Sequence, residues 1–263
     1  MTKPTALPTI LVVPDSHARP EMNNDRFTAL GNFIAEKKPD IIVNIGDMAD
    51  MASLSTYDIG RVSAEGKRYV EDVEATRDAV SRIMSPVNAE IQRRITNRKK
   101  RWNPQFHITL GNHENRINRA ASCTPSLYGH LSTKDLGYEE AGWKVHPFLV
   151  PFVYENIAFQ HYFVSGGMGR PIGGANHARS LVIKNYMSSV CGHSHVRDYY
   201  EDVDAIGRRR FGLVAGCYDE GDHGYAQGSQ HRWWSGLVML HDVHDGHAEP
   251  AFFSTDYVKR NFL

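Results

Sequence analysis

The chain has 263 residues, of which 41% are apolar and 23% charged, a composition that suits one large globular domain with a sizeable core. Thirty basic and thirty acidic side chains cancel, which excludes binding by bulk attraction to a phosphate backbone and makes any nucleic-acid contact local. No apolar stretch reaches bilayer-spanning length, so no membrane association is expected, and residues 1–8 lack a signal-peptide core.

In chain order, Ile10–Val13 is a short β-branched run ending in Pro14-Asp15-Ser16-His17, the pattern of a buried strand that delivers polar groups at its carboxyl end. Residues 26–37 place Phe27, Leu30, Phe33 and Ile34 on one helical stripe. Pro39 stops that helix, and residues 41–45 form a second strand ending at Gly46-Asp47. The strand–helix–strand order predicts a parallel pair whose ends bring Asp15, His17 and Asp47 together. Residues 55–105 are expected to form a helical insertion. Its stripe, over residues 67–100, runs through Val73, Val80, Met84, Val87, Ile91 and Ile95, with Ser85-Pro86 expected to start a second helix. It ends in Arg93, Arg94, Arg98, Lys99, Lys100 and Arg101, either a solvated helix end or a phosphate or partner contact. Through this insertion the chain could also form a homo-oligomer.

Residues 106–110 predict a third strand, followed by Gly111-Asn112-His113-Glu114. Residues 115–145 show little periodicity and are expected to be irregular, with a lid as one possibility. Two strands are predicted within residues 144–163, the second leading to His161, then a glycine-rich loop over 166–174 and a helix over 176–187. That loop is neither a P-loop nor a dinucleotide fingerprint, and reads as a flexible connection or a substrate-facing loop. Residues 189–191 lead into Gly192-His193-Ser194-His195, and strands are predicted over 211–215 and 237–240. Tyr218, Tyr225, Trp233 and Trp234 either pack internally or stack on a base. Cys123, Cys191 and Cys217 form no CxxC pair, which argues against a disulfide framework or zinc ribbon and predicts a reducing, cytoplasmic setting.

Five apolar runs thus end in side chains competent to bind metal: Asp15 and His17, Asp47, Asn112 and His113, His161, and His193 and His195. Each cluster alone is weak, because a strand-end histidine is more often a satisfied structural group. Five such ends call for shared partners, and a pair of cations supplies them. Oxygen and imidazole donors without thiolate suit Mn, Fe, Zn, Ni or Co, with Mn preferred. Two carboxylates against two divalent ions leave a charge of about +2, which attracts an anion such as a phosphate ester. His146 and His177 compete with His161, but His161 ends the run Ile157–Phe159 as the other candidates end theirs.

The motifs DSH, GDMAD, GNHE, a later strand-end histidine and GHSH, in this order, resemble the calcineurin-like metallophosphoesterase superfamily. The resemblance implies an α/β, four-layer αββα sandwich of two mixed sheets flanked by helices, as a single domain over residues 1–263. It implies phosphate-ester hydrolysis by in-line attack of a hydroxide shared between two divalent ions. Asp15, His17 and His195 would hold the first ion, Asp47 would bridge, and Asn112, His161 and His193 would complete the second site. His113 would act on the leaving oxygen without ligating metal, oriented by Asp50. The protein serine/threonine phosphatases of the superfamily carry arginine where this chain has Met51, which argues against a phosphoprotein substrate. Arg116 and Arg119 would bind a substrate phosphate or form ordinary surface ion pairs. A nucleotide or nucleic-acid substrate is preferred, on the basic and aromatic segments. The alternative is a nucleic-acid or protein-binding module with a structural or vestigial metal site.

Overall fold

The computed structural model describes residues 6–221 and 226–263, so Tyr225 and residues 1–5 lie outside the described residues. The chain opens β1 (Ile10–Val13), α1 (Asp25–Lys37), β2 (Ile41–Asn44), α2 (Tyr69–Thr96), β3 (Gln105–Thr109), α3 (Asn115–Cys123) and β4 (Lys144–His146). It continues β5 (Phe152–Tyr154), β6 (Ile157–Phe159), a ribbon of β7 (Val164–Ser165) and β8 (Arg170–Pro171), α4 (His177–Asn185) and β9 (Ser188–Cys191). It closes with β10 (Arg197–Val203), β11 (Arg209–Ala215), β12 (Gly236–His244), β13 (His247–Ser254) and α5 (Thr255–Phe262).

Two mixed sheets result. One has the order β13-β12-β1-β2-β3-β4, with β1 to β4 parallel, and the other has the order β10-β11-β9-β6-β5, with β6, β9 and β11 parallel. Strand alternation explains the stacking. Leu11, Val13, Ile42 and Ile108 face outward onto Phe27, Leu30, Phe33 and Ile34 of α1, Ile83 of α2 and Val258 of α5. Ile10, Val12, Ile41 and Val43 face inward onto Phe159, Val190, Phe211 and Leu213 of the other sheet. Ala158, Cys191 and Val214 turn their backs on that interface and pack against Ala178 and Leu181 of α4. Three apolar interfaces make the four-layer αββα sandwich expected from the sequence, and each fully buried large side chain stabilises it by about 1.5–3 kcal/mol. A strand such as β1 is covered on both faces, which is why it reads as an unbroken apolar run.

Several local expectations change. Helix α2 runs unbroken through Pro86 instead of restarting there. Gly31 of α1 lets it pass closely: a Cβ on Gly31 would fall 2.6 Å from Pro86 Cγ and 2.5 Å from Ile83 O. This packing offsets the hydrogen bond lost at proline. The stretch expected to be irregular begins with α3, whose only buried residues are Ile117 and Ala121, too few to register as a stripe. Farther along it, Leu136, Tyr138 and Trp143 are anchored in the core. Residues 144–163 hold three strands rather than two, and β10, β13 and α5 were not foreseen. The apolar side of α2 (Ala79, Val80, Ile83 and Val87) is buried in the core, so self-association through this helix would have to use its charged outer side. Among the described residues, no helix is long and apolar enough to cross a membrane.

Candidate metal centre

The parallel strands of both sheets deliver their carboxyl ends to one end of the sandwich, where side chains of separate segments can meet. Asp15 and His17 follow β1, Asp47 follows β2, Asn112 and His113 follow β3, His161 follows β6, and His193 and His195 follow β9. The first two loops are tied together by Ser16 N and His17 N, both donating to Asp47 O at 2.9 Å. His17, Asp47, His193 and His195 all have left-handed backbones, with φ of 44°, 51°, 65° and 58°. Such conformations cost non-glycine residues roughly 1 kcal/mol or more, and they persist where the surroundings over-determine them. Two glycines make room for the carboxylates. A Cβ on Gly111 would lie 2.0 Å from Asp47 Oδ1, and one on Gly192 would lie 2.0 Å from Asp15 Oδ1.

Three groups of donor atoms form there, two of them made of the sequence-predicted ligands and the third, His17, Asp50 and His113, sharing His17 with the first. In the first, His195 Nε2 lies 3.1 Å from Asp15 Oδ2 and 3.3 Å from His17 Nε2, all three residues being buried. In the second, His161 Nε2 lies 2.8 Å from Asn112 Oδ1, 3.2 Å from Asp47 Oδ2 and 3.2 Å from His193 Nδ1. His161 Nδ1 donates to Ile45 O at 3.1 Å, which turns Nε2 into the cluster. His17 Nδ1 likewise faces Asp50 Oδ1 at 3.1 Å, which turns its lone pair toward His195. Carboxylate, amide and imidazole donor atoms thus converge within hydrogen-bond distance of one another. Such a cluster is satisfied when a cation enters it, so the residues fit the divalent ions that the sequence implied.

Burial alone would raise the Asp47 carboxyl, but His161 and His113 hold it well below the usual range. Burial opposes protonation of His161, yet the charges of Asp47 and Asp15 raise it to about 9. Burial and the neighbouring His161 push His193 down to about 4.

His113 stands beside the first two groups. Its Nδ1 lies 2.7 Å from Asp50 O and 3.0 Å from Asp50 Oδ1, so that nitrogen carries the proton and Nε2 points toward Asp47 Oδ2 at 3.8 Å. Burial would lower its affinity for a second proton, but Asp47 and the Asp50 hydrogen bond outweigh it and raise the pKa. Arg116 Nη2 donates to His113 Nε2 at 3.1 Å, while Nη1 donates to Asp50 O at 2.9 Å. Asp50 therefore steadies two imidazoles, His17 as well as His113.

Other predicted residues lie elsewhere. Arg119 is exposed on α3, three residues beyond Arg116, and does not line the cleft above the centre. Met51 is buried in the core. His146 stacks away from the centre, and His177 supports the last loop through Ser194 Oγ at 3.2 Å. Tyr218 is buried, its hydroxyl donating to Arg26 O at 2.8 Å, and Trp234 packs edge-on against Phe252. Trp233 meets His195 edge-on, with ring centroids 4.1 Å apart.

Two supports went unnoticed in the sequence. The Glu114 carboxylate accepts the backbone N–H groups of Asp47, Ala49 and Gly111 at 3.0, 2.9 and 2.8 Å, clamping the second and third loops together. Arg26, wholly buried, donates to Ser16 O at 2.7 Å and pairs with Asp219. Glu114 had only its place beside the GNH triplet as a signal, and Arg26 had none.

The sequence matches the calcineurin-like phosphoesterase family over residues 8–259. Curated proteins provide no match. Among solved structures the chain is similar to YfcE, a phosphoesterase from E. coli, at 12% identity and a TM-score of 0.37, covering 94% of this chain and 99% of that one. It is also similar to a dimetal phosphatase from Danio rerio, at 10% identity and a TM-score of 0.38, covering 95% and 97%. A protein of Thermus thermophilus stands at 8% identity and a TM-score of 0.38, covering 94% and 99%. With nearly its whole length matched, the chain belongs to the calcineurin-like phosphoesterase family and is a metal-dependent phosphoester hydrolase.

Proposed function

We propose that this centre cleaves phosphodiesters or phosphomonoesters of nucleotide or nucleic-acid type, with Asp15, His17 and His195 holding one divalent ion, Asn112, His161 and His193 the other, and Asp47 between them. The observation that carries this is the second donor group, where Asn112 Oδ1, Asp47 Oδ2 and His193 Nδ1 all converge on His161 Nε2 within 3.2 Å. When bound, such ions supply charge to polarise the phosphoryl group and to ionise water near neutral pH. Manganese is our preferred pair, on the oxygen and imidazole donor set.

The chain's own side chains supply the rest. His113 carries a proton at Nδ1 toward Asp50, so its Nε2 is the atom aimed at the departing oxygen. Asp50 fixes that tautomer and favours the doubly protonated ring. Arg116 reaches the same Nε2 and is placed to exchange that contact for a phosphoryl oxygen, neutralising charge there. Glu114 keeps Asp47 and Gly111 in register without touching the reacting atoms. A purely structural metal site would not need the Asp50–His113–Arg116 array, which weighs against a binding module. A cytoplasmic setting is part of the same proposal. It is supported by Cys191 and Cys217, buried and unpaired as thiols.

Hydrolysis of p-nitrophenyl phosphate and bis(p-nitrophenyl) phosphate in Mn²⁺, with and without chelator, tests the reading. Turnover that chelator abolishes and Mn²⁺ restores is expected. Metal-replete protein that is inert on a broad panel of phosphate esters would overturn it.

A further inference from the structure

Above the centre lies a cleft of about 810 Å³, and its far wall comes from residues 52–67 rather than from the strand-end loops. That wall carries Arg61 and Lys67, and Arg116 stands between it and His113. Arg61 is exposed and makes no ion pair among the described residues. Lys67 pairs with Glu21 at 3.4 Å, its own side chain half-buried and Glu21 exposed. Its charge also reaches Asp58 and Asp72, and a pair open to solvent on one side can be exchanged for a phosphate. The acidic group on the same wall, Asp58, is engaged by the Ser63 hydroxyl at 2.7 Å. Tyr57, 80% exposed, stands on this wall as well. The basic run at residues 93–101 takes no part. It lies at the far end of α2, a helix of 28 residues and so about 42 Å long, whose beginning follows directly from Lys67.

We infer that Arg61 and Lys67 form a second anion subsite, so that the preferred substrate carries two phosphates, one at the centre and one held on the far wall. This rests on the hydrolase reading above for the first phosphate and adds the second. The shared chemistry is a second phosphate set a cleft's breadth from the first, as in an oligonucleotide or a linear polyphosphate. Arg61 and Lys67, with Arg116 beside them, outnumber Asp58 and Glu21 by three charges to two, and guanidinium is suited to two-point contact with phosphate.

Binding to the metal-loaded protein tests this, measured by calorimetry with thymidine 3′,5′-bisphosphate against thymidine 5′-monophosphate, and with tripolyphosphate against inorganic phosphate. The second phosphate is expected to tighten binding about tenfold in at least one of these pairs. In an Arg61→Ala, Lys67→Ala double variant that gain should fall to about twofold or less, whereas Arg61→Lys should keep most of it. A gain confined to the bisphosphate assigns the subsite to nucleic-acid chains, and a gain confined to tripolyphosphate assigns it to linear polyphosphates. No gain in wild type, or the same gain in the double variant, overturns the subsite. Turnover of bis(p-nitrophenyl) phosphate, which has no second phosphate, judges the hydrolase reading separately.

Discussion

Two histidine clusters among the described residues differ in what surrounds them, and one of them has the carboxylates that could hold metal. At the centre, each imidazole pair faces a carboxylate: His17 and His195 meet Asp15, and His161 and His193 meet Asp47. At the β3–β4 edge, His107 Nδ1 lies 3.0 Å from His146 Nε2 and the His107 ring stacks on Phe152 at 3.9 Å, with Lys144 as the nearby charge. There, burial and the neighbouring His146 push His107 down to about 4. The same residue type therefore becomes a candidate ligand set or an aromatic packing element, according to whether carboxylates share its surroundings.

Substitutions should separate the two clusters, beginning with the most severe. Asp47→Asn should remove bound metal and lower turnover by about 10⁴-fold or more, read by elemental analysis and initial rates. His113→Ala should lower turnover by about 10²–10³-fold while metal content stays near wild type, and equal metal loss in both variants would contradict the assigned roles. Glu114→Gln should lower unfolding free energy by about 1–3 kcal/mol in urea titration, since the loop N–H groups keep only a weaker acceptor. Acid should act on the packing cluster. His107 has a folded pKa near 4, below the unfolded value of about 6.5, so its neutral form favours the folded state. As pH falls from about 6.5 toward 4 the unfolded chain takes up that proton first, and stability should drop by about 1 kcal/mol more than in His107→Gln. His146→Phe should leave metal content and turnover within about twofold of wild type, and a loss of metal would merge the two clusters.

Much of the fold and most of the centre could be read from the chain. β1 is buried on both faces and was bounded to the residue, and the parallel β1–β2 pair followed from the helix between them. His161 was legible because it ends an apolar run, two residues past β6, as the other candidate ligands end theirs. What stayed hidden depends on tertiary neighbours. Pro86 reads as a break until Gly31 is seen beneath it. Helix α3 buries only two side chains, so its periodicity has almost no apolar signal. The strands β10 and β13 went unread, since their burial alternates too weakly to mark one face. Arg61 and Arg116 stand on one cleft although 55 positions separate them, and no local pattern records that.

The two carboxylates that face the imidazole pairs also hold chain: Asp47 Oδ1 accepts His113 N at 2.9 Å, and Asp15 accepts His193 N at 3.0 Å. Each carboxylate thus joins a candidate ion position on one side to the loop carrying the next imidazole on the other. Occupancy of one position then alters the tension on the loop that shapes its neighbour, so the two ions should load cooperatively, each changing the affinity for the other by the same factor.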